Sequence, residues 1–166
     1  MSENLENKEY ASLLEVCKEY HLTLGSVESL TGGLFASHVC SVPGASASFL
    51  GGIVTYAISV KTNLAFVPQE TIEKYGVVST QVAEAMAKGG AKQLHCDVVI
   101  SFTGNAGPAA QGDKPVGCVA IGYDIGGEIY SEEIQLSGSR NDIREKACSY
   151  GAMHLLKLLK EKYAKE

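Results

Sequence analysis

Three stretches of this sequence carry residues that could do chemistry. Two are glycine-bearing junctions, Glu28-Ser29-Leu30-Thr31-Gly32-Gly33 and Thr103-Gly104-Asn105-Ala106-Gly107-Pro108. Each can present backbone N–H groups to an anion, because glycine lets the main chain come close and a following helix adds its positive end. Neither follows the GxxxxGK[ST] or GxGxxG spacing of the nucleotide-binding fingerprints, and both also suit tight turns that end buried strands. The third stretch is Val42-Pro43-Gly44-Ala45-Ser46-Ala47-Ser48-Phe49, a turn of small residues in which Ser46 can be exposed and closely approached. A nucleophilic serine needs a base, and Lys61 follows the next strand closely enough for the chain to fold it back, with Tyr56 between them. On pattern alone Ser46 and Lys61 also read as a turn serine and a solvated lysine. No G-x-S-x-G is present, and His21, His38, His95 and His154 have neither an obvious triad role nor metal-ligand spacing, so they read as packing or surface residues. Arg140 and Arg144 follow Ser137-Gly138-Ser139 at the start of the final helix. Either guanidinium can meet a phosphate there, or pair with Asp142 or Glu145.

The elements that must position these residues follow from periodicity. Leu5, Tyr10, Leu13, Leu14 and Cys17 recur at helical spacing, predicting an amphipathic helix over 5–20. A short strand over 22–27 is broken by Thr31-Gly32-Gly33, and 34–40 reads as a buried helix. The run 50–57 is β-rich, with glycines that permit a bulge or the close approach of other backbone. Helices are expected over 58–65, 69–75 and 80–94, the last capped by Ser79 or Thr80. The apolar run 97–102 suits a strand buried on both faces. Strands near 116–123 and 127–136 meet at Gly126-Gly127, which is hairpin chemistry, so the sheet is mixed. A helix over 140–162 carries Ile143, Ala147, Gly151, Leu155, Leu158 and Leu159 on one stripe, and Lys157, Lys160, Lys162 and Lys165 form a solvated end that suits the helix dipole. Helices alternating with strands indicate an α/β protein, a three-layer α/β/α sandwich with a mixed sheet.

Bulk properties bound the function. The chain has 166 residues, 45% hydrophobic and 20% charged, which fits one compact domain over 1–166. Net charge is −5 and no basic segment precedes the last helix, so a nucleic-acid footprint is missing. Cys17, Cys40, Cys96, Cys118 and Cys148 are scattered singly and read as reduced core residues. The polar, acidic start is unlike a signal peptide and no apolar run nears the roughly 20 residues that span a bilayer, so the cytoplasm is expected.

Taken in order, Val27-Glu28-Ser29-Leu30-Thr31-Gly32-Gly33, Pro43-Gly44 with Ser46 and Phe49, Gly52-Ile53-Val54-Thr55-Tyr56 with Lys61, Gly76-Val77-Val78-Ser79, Thr103-Gly104-Asn105-Ala106-Gly107-Pro108 and Lys114-Pro115-Val116-Gly117 resemble the C-terminal domain of the competence-damage inducible protein CinA, the PncC-type nicotinamide-nucleotide amidase family. The resemblance spans roughly residues 5 to 160. It implies an α/β/α fold and hydrolysis of nicotinamide mononucleotide to nicotinic acid mononucleotide and ammonia. It further implies no metal or other cofactor, a small-molecule substrate and a homo-oligomer, while the charge balance and the lack of a long apolar run point away from nucleic-acid and membrane partners. By the same resemblance Ser46 is the nucleophile, Lys61 and Tyr56 assist proton transfer, and Thr103 and Arg140 contribute to the site. Longer members carry an additional N-terminal pyrophosphatase domain, and the matching residues here imply the amidase function alone.

Three departures bear on substrate choice. Leu30 stands where the family commonly has cysteine, Asn105 where it has isoleucine or a similar apolar residue, and Ala109-Ala110-Gln111-Gly112-Asp113 replaces an acidic, glycine-rich loop. The expected chemistry is attack by Ser46 on the pyridine carboxamide, loss of ammonia and hydrolysis of the acyl-enzyme, with turn amides holding the oxyanion. Arg140, with the Thr31-Gly32-Gly33 turn or the Thr103-Gly104 loop, is expected to cradle the phosphate. The competing reading is a catalytically weak or inactive nucleotide-binding module that acts through a protein partner.

Overall fold

The computed structural model describes residues 7–110 and 112–164. Continuous runs of apolar and small residues become its inner strands: β1 (Leu24–Glu28), β3 (Val98–Gly104) and β4 (Cys118–Ile125) are buried almost throughout. β2 (Phe49–Val54) and β5 (Glu128–Gln135) instead alternate between more and less covered residues, the period of a strand with one wetter face. They close the edges of a five-stranded sheet in the order β2-β1-β3-β4-β5. β1 is parallel to both β2 and β3, whereas β4 is antiparallel to β3 and β5, so the sheet is mixed as the sequence predicts. Gly126 and Gly127 take φ of 60° and 94°, the left-handed pair that a two-residue hairpin turn requires. Leu24 pairs with Phe49 and Gly25 with Gly51, so the glycine-rich edge strand bulges at Leu50.

Helices cover both faces. α1 (Lys8–Glu19), α2 (Leu34–Cys40) and α6 (Arg140–Tyr163) pack on one side, where Leu13, Phe35, Ile143 and Leu155 join Ile100 and Phe102. α3 (Ile58–Leu64), α4 (Gln69–Tyr75) and α5 (Thr80–Leu94) lie on the other, where Ile72, Val82 and Met86 meet Val27 and Val99. Val99 and Ile100 belong to opposite cores because successive strand residues face opposite ways. Ser79 caps α5 through Val82 N, and Ser139 and Asp142 form a reciprocal capping box at the start of α6.

Some details differ from the periodicity. The edge strand ends at Val54, before Thr55 and Tyr56 turn towards α3. Cys40 is exposed at the end of α2 and Cys96 half-buried, so only Cys17, Cys118 and Cys148 are core thiols. Lys162 is not simply solvated: it donates to Ile125 O at 2.8 Å and lies 3.2 Å from a Glu128 carboxylate oxygen, which ties α6 to the β4–β5 hairpin. Leu5, the polar start, Gln111 and Lys165 lie outside the described residues.

One glycine decides where α3 sits. A Cβ on Gly89 of α5 would lie 1.5 Å from the carbonyl oxygen of Ala65, which ends α3. Gly89→Ala is therefore expected to cost about 3 kcal/mol through overpacking, more than the roughly 1 kcal/mol of helix propensity it gains. Urea unfolding measures this; a variant as stable as the parent would show that α3 is not held at this contact.

Candidate active site

The last residue of β1 and the one after it send two consecutive polar side chains to opposite faces of the sheet. Glu28 turns towards α2, where its Oε1 accepts from Phe35 N at 2.9 Å and its Oε2 from Ala36 N and Ser26 Oγ, both at 3.1 Å. α2 has glycine at its N-cap and no side-chain cap of its own, so a carboxylate from the sheet satisfies its first amides and complements its positive end. Ser29 points the other way, towards α3. Its amide donates to Phe102 O at 3.0 Å, continuing the β1–β3 pairing, and its Oγ accepts from Lys61 Nζ at 3.0 Å.

Lys61 sits in α3 and is only 1% exposed. Its ammonium donates to Ser29 Oγ and also to Thr55 O at 2.6 Å and Tyr56 O at 3.2 Å, which engages all of its protons. Burial disfavours the charged form and pushes its pKa from 10.5 down to about 8. A neutral amine keeps two N–H groups and gains a lone pair. The two carbonyls can only accept, so they hold the N–H groups and the lone pair falls to the Ser29 hydroxyl. The arrangement is a serine with its base already in hydrogen-bond contact.

A cleft of about 400 Å³ opens over this pair, lined by Ser29, Leu30, Tyr56, Lys61, Gly104, Asn105 and Arg140 among others. Arg140, at the first turn of α6, donates to Gly107 O and, at 3.1 Å, to the Tyr56 hydroxyl. Tyr56 is 63% exposed, so this bridge lies at the mouth. Asn105 is buried and shapes the facing loop, accepting from Gly107 N at 3.2 Å and donating to Lys114 O at 3.3 Å.

Of the residues singled out in the sequence, Tyr56, Lys61, Gly104 and Arg140 line the cleft. Thr103 stands behind it, its hydroxyl donating to Val77 O at 2.9 Å and so holding the segment that forms one wall. Gly32 and Gly33, with φ of 57° and 99°, turn the chain into α2 and do not line the cleft; Thr31 is fully buried with its Oγ1 unpartnered. Arg144 does not line the cleft, and among the described residues it forms no ion pair with an acid. Asp142 is occupied by Ser139 and Glu145 by His38, while Arg144 grips the carbonyls of Leu30 and Thr31, both at 2.9 Å.

Ser46 does not join Lys61, and this corrects the expected pairing. It lies exposed in the 3₁₀ turn Ala45–Ala47, whose neighbour Ser48 accepts from Leu24 N at the beginning of β1. Ser29 lies at the end of that strand, about 16 Å further on at 3.3 Å per residue. Because β2 runs parallel to β1, the turn before β2 lies by the start of β1 and the segment after β2 lies by its end, at opposite ends of the strands. The serine at the same end of the strands as Lys61 is Ser29. Sequence reasoning also missed Glu28; the signal available was an acidic side chain ending a strand that has no wet face.

The family model described as the CinA C-terminal domain matches residues 6–159. The chain belongs to the CinA C-terminal domain family. This CinA domain is 42% identical over 146 residues to a protein of Bacillus subtilis (strain 168) described as competence-damage inducible, a match covering 88% of the chain and 35% of that protein. It is 44% identical over 133 residues to a CinA-like protein of Dictyoglomus thermophilum, covering 80% of the chain and 32% of that protein. The chain thus spans about a third of the length of these curated relatives. Among solved structures, a CinA superfamily protein from Escherichia coli superposes with a TM-score of 0.90 at 28% identity, covering 95% of this chain and 92% of that one. A competence/damage inducible protein from Agrobacterium tumefaciens gives 0.88, also at 28% identity, covering 92% and 94%. Among the described residues no helix is long and apolar enough to cross a membrane.

Proposed function

We propose that residues 1–166 act as one amidase domain that converts nicotinamide mononucleotide to nicotinic acid mononucleotide and ammonia, with Ser29 as nucleophile and Lys61 as base. The observation that carries this reading is the contact between the buried Lys61 ammonium and Ser29 Oγ at the floor of the cleft. Neutral Lys61 takes the Ser29 proton as Oγ attacks the carboxamide carbon. The tetrahedral intermediate then collapses; the C–N bond breaks, and the proton held on Lys61 passes to the leaving nitrogen, which departs as ammonia. Water, deprotonated by the same amine, hydrolyses the acyl-enzyme and restores Ser29. Tyr56, fixed by Arg140 at the mouth, is placed to orient the substrate or relay a proton. The positive charge of the pyridinium makes the carboxamide carbon more electrophilic. With this reading go a cytoplasmic setting, a homo-oligomer and a small-molecule substrate.

Ammonia release from nicotinamide mononucleotide by the purified protein tests the reading directly. Tight binding without turnover would overturn it in favour of a nucleotide-binding regulatory module.

Arg140 is the proposed phosphate contact. Arg140→Ala is expected to weaken binding of the mononucleotide roughly 10- to 100-fold, the size of a charge-assisted hydrogen bond, and to change nicotinamide riboside binding little. Calorimetric titration of both ligands decides this: equal losses would remove Arg140 from the phosphate site.

A further inference from the structure

We infer that Arg144, outside the cleft, is a positioning residue that aims the Leu30 amide as the oxyanion donor of the reaction; the inference rests on the Ser29 amidase reading above. The turn after Ser29 is gripped from the opposite face of the sheet. Arg144 Nε donates to Leu30 O and Nη2 to Thr31 O, both at 2.9 Å, while Nη1 donates to Asn141 Oδ1 at 3.0 Å and steadies the guanidinium. A planar fork is suited to holding two carbonyls at once.

The hold passes along the chain by peptide geometry. In a trans peptide the C=O and the following N–H point in opposite directions. With Thr31 O drawn to Arg144, the Gly32 N–H is turned back, and it donates to Ser29 O at 3.0 Å. With Ser29 O drawn to Gly32, the Leu30 N–H is turned the other way in its own peptide plane. No acceptor among the described residues takes that amide, although Leu30 is only 4% exposed and lines the cleft beside Ser29. Main-chain amides without a protein acceptor are uncommon, and one beside a cleft is available to an acceptor that a substrate brings. An oxyanion forming on a carbonyl attacked by Ser29 would supply the missing acceptor, and would do so only when the charge develops. Glu28 holds the far end of the same turn by binding Phe35 N and Ala36 N, so the peptide planes between the two anchors have little freedom.

The test uses Arg144→Ala, Arg144→Lys and the parent protein, with two readouts: ammonia release from nicotinamide mononucleotide, and covalent labelling of Ser29 by a fluorophosphonate followed by mass spectrometry. Arg144→Ala is expected to lower kcat about 100-fold, the scale of one lost oxyanion donor, with KM within about threefold and the acidic limb of the pH–rate profile unmoved. Labelling should slow in parallel. Arg144→Lys, whose single ammonium on a flexible stem lacks the planar fork that fixes the two carbonyls and reaches Asn141, is expected to stay at least tenfold impaired, and added guanidinium should restore part of the kcat of Arg144→Ala. If Arg144→Ala does not fold, the lysine variant carries the same comparison. Wild-type kcat in a folded Arg144 variant, a loss confined to KM, or a shifted acidic limb would each overturn the inference and leave the amidase reading standing. A parent protein that neither releases ammonia nor labels at Ser29 would overturn both.

Discussion

Ser29→Ala is expected to abolish ammonia release from nicotinamide mononucleotide, lowering kcat by a factor of about 10⁴ or more while leaving substrate affinity within a few-fold of the parent. The scale follows from the loss of the covalent route, since what remains after removal of a serine nucleophile is the contribution of binding and the oxyanion site. The fold should survive. Ser29 contributes its backbone amide to the β1–β3 pairing, which alanine retains, and its hydroxyl serves Lys61 alone among the described residues. Ser46→Ala is the matched control. Its side chain is exposed at the opposite end of β1, so activity is expected within about twofold of the parent. Steady-state kinetics of the two variants, with unfolding curves to confirm that both are native, check the pair. A Ser29→Ala enzyme with ordinary turnover, or a Ser46→Ala enzyme without it, would return the nucleophile to the turn before β2.

The separation of Ser46 from Lys61 shows what local sequence carries and what it omits. The inner strands were legible because apolar runs such as Val98–Phe102 have few other places to go, and the hairpin was legible because Gly126-Gly127 has the conformational freedom that its turn demands. Lys61 and Tyr56 follow the same strand within a few residues, and both line the cleft. Ser46 is also near them in sequence, yet a six-residue strand intervenes and carries the chain about 20 Å from one end of the sheet's strands to the other. Parallel pairing of β1 with β2 then brings the residues after both strands together, which places Ser29 beside Lys61. That information lies in strand order, and strand order is not written in any one segment. Arg144 illustrates the same gap. Its partners are main-chain carbonyls more than a hundred positions away, and no side-chain pattern marks a carbonyl as a partner. Glu28 lay closer to reach, because a carboxylate ending a strand buried on both faces must find donors, and the nearest free ones are the amides that open α2.

The pH dependence of the reaction is expected to belong to Lys61. With its pKa pushed down to about 8 by burial, roughly a tenth of the enzyme holds the neutral amine at pH 7, so kcat/KM should rise close to tenfold per unit below pH 8 and level off above it. The same ionisation acts on stability with a definite sign. The unfolded chain binds this proton up to about pH 10.5 and the folded one only up to about 8, so between those values the unfolded state holds more protons and the folded state gains stability as pH rises. The gain amounts to about 3 kcal/mol across the window. Lys61→Met should remove that part of the slope, and the difference between parent and variant isolates it from the tyrosines and cysteines that titrate nearby. At pH 7 the variant escapes the cost of burying a charge but leaves Thr55 O and Tyr56 O without their donor, worth roughly 1 kcal/mol each, so its net stability should change little. Activity should fall by about 10³ in the same variant, because the base is gone. Lys61→Arg separates charge from proton transfer: the guanidinium keeps the charge and cannot shed its proton at working pH, so it should fail as well. If Lys61→Arg kept most of its kcat with the acidic limb unchanged, Lys61 would be acting as a charge and the proton would have to leave Ser29 by another route, for which Tyr56, at the mouth and bonded to Arg140, is the nearest candidate.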